Sequence, residues 1–238
     1  MAAVIRVVLF DLDDTLFAHR GSVARGIVAH IDAVGGFESA DPETVVALWH
    51  ALEEEHYHSY LAGRLDFEGQ RRARARDFAA AHGVHLEEAA AGAWFDSYFE
   101  RYRSAWHLHD DTLPLLAALS GYRLGIITNG EPDFQQRKLD QVGIAGYFEH
   151  VIASGSLGLT KPDARIFSHA ASQFSVALEE CAYVGDRFAT DALGAASAGM
   201  RGIWLDRGAT ASADELEQAR AAGVRVIRSL GEVPAALG

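Results

Sequence analysis

VVLFDLDDTLF, Val7 to Phe17, is the stretch on which the reading of this chain turns. Its β-branched and apolar opening has no helical period, so Val4 to Phe10 predicts a short strand buried on both faces of a parallel sheet. Three aspartates, Asp11, Asp13 and Asp14, follow within four positions, ahead of Thr15. Carboxylates at that density repel one another and drive their own pKa values up unless a counter-ion meets them. A hard divalent cation such as Mg²⁺ suits them, because it prefers oxygen ligands and takes one or two carboxylates together with substrate phosphate.

Outward from that strand the pattern changes twice. From about Gly21 to Ala105 the sequence predicts helices only: Ser22 to Val34, Pro42 to Tyr60, Phe67 to Ala81 and Leu86 to Tyr102. Asp41 before Pro42 is an N-cap followed by proline in the first turn, and Gly35-Gly36 and Gly83 are stop signals. After Trp106 strands and helices alternate. Strands are expected at Tyr122 to Ile127, His150 to Ala153, Ala182 to Val184, Gly202 to Leu205 and Val224 to Ile227, with helices between them. That alternation predicts an α/β fold with a doubly wound parallel sheet. The organisation expected is an α/β core formed by residues 1–17 and 106–238, with an all-helical insertion, 18–105, after the first strand.

In an open parallel sheet, ligands bind beyond the carboxyl ends of the strands. Asp11, Asp13, Asp14 and Thr15 follow the first expected strand, and Thr128, Asn129 and Gly130 the second. Lys161-Pro162 lies in the loop after the third, and Gly185, Asp186 and then Asp191 come after the fourth. Asp11 and Asp186 are a plausible metal pair. Lys161 would balance the charge of a phosphoryl group, and Thr128 with the amides of the following helix would cradle its oxygens. Lys138 and Lys161 are the only lysines in the chain, which makes either worth attention.

DLDDT after the first strand, TNG after the second, KPD in the following loop and GDRFATD after the fourth together resemble the four signature motifs of the haloacid dehalogenase-like hydrolase superfamily. The helical insertion resembles the cap that many members carry. The resemblance implies that Asp11 is a nucleophile forming an aspartyl-phosphate, and that Asp13 protonates the leaving oxygen and then activates water, its backbone carbonyl also on the metal. Thr128, Asn129 and Lys161 would hold the transferring group, Asp186 would ligate Mg²⁺ beside Asp11, and Asp191 would support the metal or orient Lys161. Thr15 would brace the loop. Asp14 is expected to be a solvated or capping bystander. Members that break carbon–halogen bonds usually lack an acid at the position of Asp13, since halide leaves without a proton. No lysine occurs from Phe17 to Trp106, which excludes a cap Schiff base for phosphonate cleavage. The expectation is therefore a Mg²⁺-dependent phosphatase acting on a small phosphorylated metabolite. A phosphomutase of the same superfamily, a phospho-aspartate signalling module and a metabolite-binding relative without turnover are the alternatives.

Composition narrows the field. The 238 residues are 49% hydrophobic, enough for a real core. A net charge of -12 disfavours nucleic acid and anionic membranes as partners. No protein partner is predicted. No apolar run approaches the roughly 20 residues of a membrane span, and the acidic cluster arrives too early for a signal peptide, so a cytoplasmic location is expected. The single cysteine, Cys181, reads as a small buried hydrophobe. His56 with His58, and His107 with His109, have no evident third ligand and are read as solvated or hydrogen-bonded. Arg71, Arg72, Arg74 and Arg76 are read as a solvated surface balancing the acids.

Overall fold

The computed structural model describes residues 3–37 and 40–238. The chain divides into two compact units, Met1–Ala18 with Leu108–Gly238, and His19–His107.

The first unit is built on six parallel strands: β1 (Val7–Phe10), β2 (Arg123–Thr128), β3 (His150–Ala153), β4 (Cys181–Gly185), β5 (Arg201–Leu205) and β6 (Arg225–Ile227). Their order across the sheet is β3-β2-β1-β4-β5-β6. The chain winds one way from β1 to β3 and the other way from β4 to β6, so the order reverses between β1 and β4. A crevice opens beyond the carboxyl ends of strands at such a switch point. β1 is central and wholly buried, as its unbroken apolar run requires. Val7 pairs with Arg123 on one side and Cys181 on the other, which sets the register that brings the ends of three strands level. The ladder begins only there. Val4, expected within the strand, projects beyond its neighbours and is 78% exposed.

Helix α7 (Ala164–Gln173) covers one face of the sheet, with Ile166, Phe167 and Ala170 packed among Leu9, Ile127 and Tyr183, and Cys181 is buried in the same cluster. Phe167 meets Tyr183 edge to face, their centroids 5.3 Å apart. Three short helices, Ser154–Leu157, Val233–Leu237 and α5 (Thr112–Ala118), escaped the sequence reading; α5 shows why. Seven residues are too few to show a period, and Pro114 sits in its first turn, where no backbone N–H needs an intrahelical partner.

The second unit packs four helices: α1 (His19–Val34), α2 (Pro42–Leu61), α3 (Phe67–Ala81) and α4 (Glu88–Ser104). Asp41 caps α2 by accepting from the Thr44 amide at 2.9 Å, with Pro42 in the first turn. Buried aromatic rings fill the interior, Trp49 meeting Tyr98 at 4.6 Å and Phe78 at 5.2 Å. Of the α3 arginines, Arg76 is exposed and Arg71 and Arg72 are half-buried, each paired with a glutamate as expected, but Arg74 departs from the solvated surface. Arg74 is buried, its guanidinium 4.0 Å over Trp49 and 2.7 Å from Glu53, because a flat cation can stack on an aromatic face while pairing at its edge. His56 is also buried and pairs with Asp77 at 2.8 Å. Among the described residues no helix is long and apolar enough to cross a membrane.

Candidate active site

The carboxyl ends of β1 and β4 converge on one buried cation. Lys161 donates to Asp11 Oδ1 at 2.6 Å, to Asp191 Oδ1 at 2.7 Å and to the Tyr183 hydroxyl at 2.7 Å. Its side chain is buried, and an ammonium out of water is tolerable only when its donors are taken up in this way. Asp11 leaves β1 with its amide hydrogen-bonded to the Val184 carbonyl, 2.9 Å, so the backbone that carries it is still part of the sheet. Tyr183 donates in turn to the Ile127 carbonyl at 2.9 Å and thereby ties Lys161 to β2.

Asp191 lies in a π-helical turn, Phe188–Leu193, that leads into α8 (Gly194–Ala198). Its second oxygen accepts from the Arg187 amide at 3.0 Å. The turn brings it against Gly185, where a Cβ would lie 2.4 Å from Asp191 Cβ, so glycine is what lets the two elements close up. One carboxylate oxygen from each of Asp11, Asp186 and Asp191 falls within a 4.8 Å cluster. Burial raises the pKa of Asp186 to about 7, and Asp191 and Asp14 add like charge in the same direction. Burial likewise holds Asp11 well above the usual carboxylate range; Lys161 opposes the shift, while Asp191, Asp186 and Asp13 add to it. For Lys161 burial works against the charge, but Asp11 and Asp191 outweigh it and raise its pKa. Three hard oxygen donors with charge in excess of their one ammonium fit a divalent cation.

The other expected site residues take distinct places. Thr15 is buried, its hydroxyl a long 3.5 Å from Asp186 Oδ1 and its carbonyl accepting from Arg207 at 3.0 Å. Asn129 engages the loop that carries Lys161. Its Oδ1 accepts from the Lys161 amide at 2.8 Å and its Nδ2 donates to the Lys161 carbonyl at 3.1 Å, stapling the end of β2 to the loop that carries the lysine. Asp14 has a left-handed backbone, φ 61°, and its amide donates to the Phe17 carbonyl at 2.7 Å, which turns the chain back after the acids.

Asp13 stands apart from the three-acid cluster. Its oxygens accept from Lys138 at 2.6 and 2.9 Å, and Oδ2 also from Gln135 at 3.1 Å. Both partners lie on α6 (Pro132–Gln141), which begins directly after Thr128-Asn129-Gly130. Gln135 donates as well to Thr128 Oγ1, 2.7 Å. Tyr183, Gln135 and Lys138 are the polar residues of this site that the motifs passed over. A tyrosine on a buried strand signals a hydroxyl in need of a partner, and the scarcity of lysine singled out Lys138 without saying what it touches.

Comparison with known proteins finds relatives along most of the chain. A family model described as haloacid dehalogenase-like hydrolase matches residues 5–199. The chain is 32% identical over 214 residues to glyceraldehyde 3-phosphate phosphatase of Pyrococcus abyssi, covering 86% of this chain and 83% of that protein. It is 43% identical to phosphoserine phosphatase of Thermus thermophilus, over 112 residues that make up 46% of this chain and 45% of that protein. The HAD-hydrolase YfnB of Bacillus subtilis has the same fold, with a TM-score of 0.77 at 19% identity over 99% of both chains.

Proposed function

This chain belongs to the haloacid dehalogenase-like hydrolase family, and we propose that it is a Mg²⁺-dependent phosphatase that hydrolyses a small phosphorylated metabolite through an aspartyl-phosphate on Asp11. The observation that carries the proposal is the pairing of two acids with different surroundings. Asp11 sits in the buried cluster with Lys161, Asp186 and Asp191, and Asp13 is held two residues on, outside that cluster. A carbon–halogen cleavage needs the first acid alone, whereas expelling an alkoxide needs a proton donor as well.

In the proposed sequence an Asp11 oxygen attacks phosphorus as the bond from phosphorus to the leaving oxygen breaks. Asp13 delivers a proton to that oxygen. Water then attacks the phosphorus of the aspartyl-phosphate, Asp13 takes the proton it sheds, and the bond to Asp11 breaks to release inorganic phosphate. Dividing one difficult displacement into two is the general advantage of covalent catalysis. Lys161 meets charge on the phosphoryl oxygens, and Thr128 offers its hydroxyl to them. Asp11 and Asp186, with Asp191 in reach, would hold Mg²⁺, with the Asp13 carbonyl as a further ligand by family resemblance. When bound, the cation supplies charge neutralisation for the acids and the phosphoryl group. Asn129 serves the same end indirectly by fixing the backbone of Lys161. The helical unit is proposed as the cap that selects the leaving group.

Both phosphatases compared above act, by name, on phosphorylated three-carbon compounds, which makes glyceraldehyde 3-phosphate and phosphoserine the first substrates to try. Phosphate release from these two, from a wider phosphometabolite panel and from p-nitrophenyl phosphate is to be measured with Mg²⁺ and with excess EDTA. Hydrolysis that disappears on chelation is expected. Turnover that EDTA leaves intact, or a protein inert toward every phosphate ester, would refute the proposal.

A further inference from the structure

The chain has two lysines, and each meets one of the two acids of the proposed reaction. Lys161 belongs to the recognised motifs; Lys138 does not. Its side chain is 2% exposed, yet its ammonium contacts both oxygens of Asp13. It also lies 5.1 Å from the ring centre of Phe17 and 4.8 Å from that of Phe134. Two aromatic faces and one carboxylate therefore enclose a cation that would otherwise be costly to bury. Asp13, by contrast, is 29% exposed at its side chain and stands on the turn after β1, so without a partner it has both the room and the rotamers to swing into water.

Gln135, one turn before Lys138 on α6, adds a second restraint. One amide nitrogen donates to Asp13 Oδ2 and to Thr128 Oγ1. A hydroxyl that accepts from Gln135 has its own proton left to donate elsewhere, which is what binding a phosphoryl oxygen asks of Thr128. Gly130 makes room for this arrangement, since a Cβ there would come within 2.8 Å of Gln135 Nε2. The start of α6 thus ties the loop after β1 to the end of β2.

We propose that Lys138 and Gln135 are positioning residues of the phosphatase reaction. Lys138 fixes the direction of the Asp13 carboxylate, and Gln135 locks that carboxylate to Thr128, so that the acid–base group and the phosphoryl-binding hydroxyl are held as one unit. The inference rests on the phosphatase reading above.

The test is Lys138→Met, which keeps the buried stem and removes the donors, measured beside the unaltered protein on glyceraldehyde 3-phosphate, or the best alkyl phosphate of the panel, and on p-nitrophenyl phosphate. Only an alkoxide needs a well-placed proton donor. For the alkyl ester kcat is expected to fall about 100-fold with KM little changed, the usual consequence of a misplaced acid–base group. For the nitrophenyl ester the loss is expected to stay below about tenfold, the difference expected when only one leaving group needs the proton. Lys138→Arg, which keeps a cation, should recover part of the loss. Equal losses on the two substrates, or no loss on either, would overturn the inference. If Lys138→Met does not fold, Gln135→Met carries the same comparison, with a selective loss of about tenfold expected on the alkyl ester. A crystal structure of the variant that folds separates this failure from that of the phosphatase reading. If the unaltered protein hydrolyses no phosphate, an Asp13 carboxylate found displaced still supports the restraint, and one found unmoved overturns it.

Discussion

Lys161→Met keeps a buried aliphatic stem and removes the ammonium that touches Asp11, Asp191 and Tyr183 at 2.6, 2.7 and 2.7 Å. With an effective dielectric of about 20, each of the two carboxylate contacts is worth about 6 kcal/mol. The folded protein has a cheaper escape, which is to protonate a carboxylate. Converting an aspartate of ordinary pKa, about 3.9, to its neutral form at pH 7.5 costs about 5 kcal/mol. Because burial has already pushed Asp186 to about 7 and Asp11 upward, part of that protonation is cheaper still. The expected destabilisation is therefore about 3–5 kcal/mol, the range found when one partner of a buried ion pair is removed. At about 2–4 °C per kcal/mol for a domain of this size, Tm should fall by about 10 °C. The sign of the pH effect follows from the raised Asp11 and Asp186. A carboxylate whose pKa is higher folded than unfolded binds more protons in the native state, so it adds stability as pH falls through that interval. Without the lysine that interval widens, and the gap between variant and unaltered protein should narrow from pH 7.5 to pH 6. Differential scanning calorimetry in metal-free buffer at both pH values measures each quantity. A Tm within about 2 °C of the unaltered protein at pH 7.5 would refute the claim that Lys161 balances this cluster.

Two further outcomes follow from the same structure. In Gly185→Ala the new Cβ falls 2.4 Å from Asp191 Cβ, so Asp191 must shift away from Lys161; a stability loss of about 1–3 kcal/mol by urea denaturation, with at least a tenfold fall in kcat/KM, is expected, and a variant with unaltered turnover would show that the Asp191–Lys161 contact is dispensable. His30 is buried in the helical unit 4.2 Å edge to face from Trp94, neither ring nitrogen is hydrogen-bonded, and burial, with Arg101 adding to it, lowers its pKa to about 4. The unfolded chain takes up this proton near pH 6.5 and the folded one only near 4, so His30 should cost about 2 kcal/mol of stability between pH 7 and pH 5. His30→Phe should remove that share of the pH dependence, and parallel curves for variant and unaltered protein would contradict it.

Much of the catalytic edge was legible because β1, β2 and β4 announce themselves as apolar runs and polar residues follow each at once. Register then does the rest: Phe10 pairs with Ile126 and Val184, so Asp11, Thr128 and Asp186 have to emerge close together. Direction was harder to read. The sequence placed Asn129 beside the transferring group, and gave no sign that its amide also bonds the backbone of Lys161, a contact that depends on how the loop after β3 folds back. Lys138 stood out by its rarity, yet its partner lies 125 positions away and is chosen by which face α6 turns to the sheet. Arg74 shows the same limit in the helical unit, where an arginine-rich run gives no sign that one guanidinium is stacked inside on Trp49. Patterns of polarity report what must be buried; they do not report which partner makes burial tolerable.

The central claim is that Asp11 is the nucleophile, and the variant Asp11→Asn tests it most directly. The substitution keeps shape and removes the attacking charge. With Mg²⁺ and p-nitrophenyl phosphate, the account predicts loss of at least about 1000-fold in kcat, as befits removal of the covalent route, while calorimetry shows the protein folded. Turnover within about tenfold of the unaltered enzyme, in a folded variant confirmed by mass to be free of restored aspartate, would contradict it.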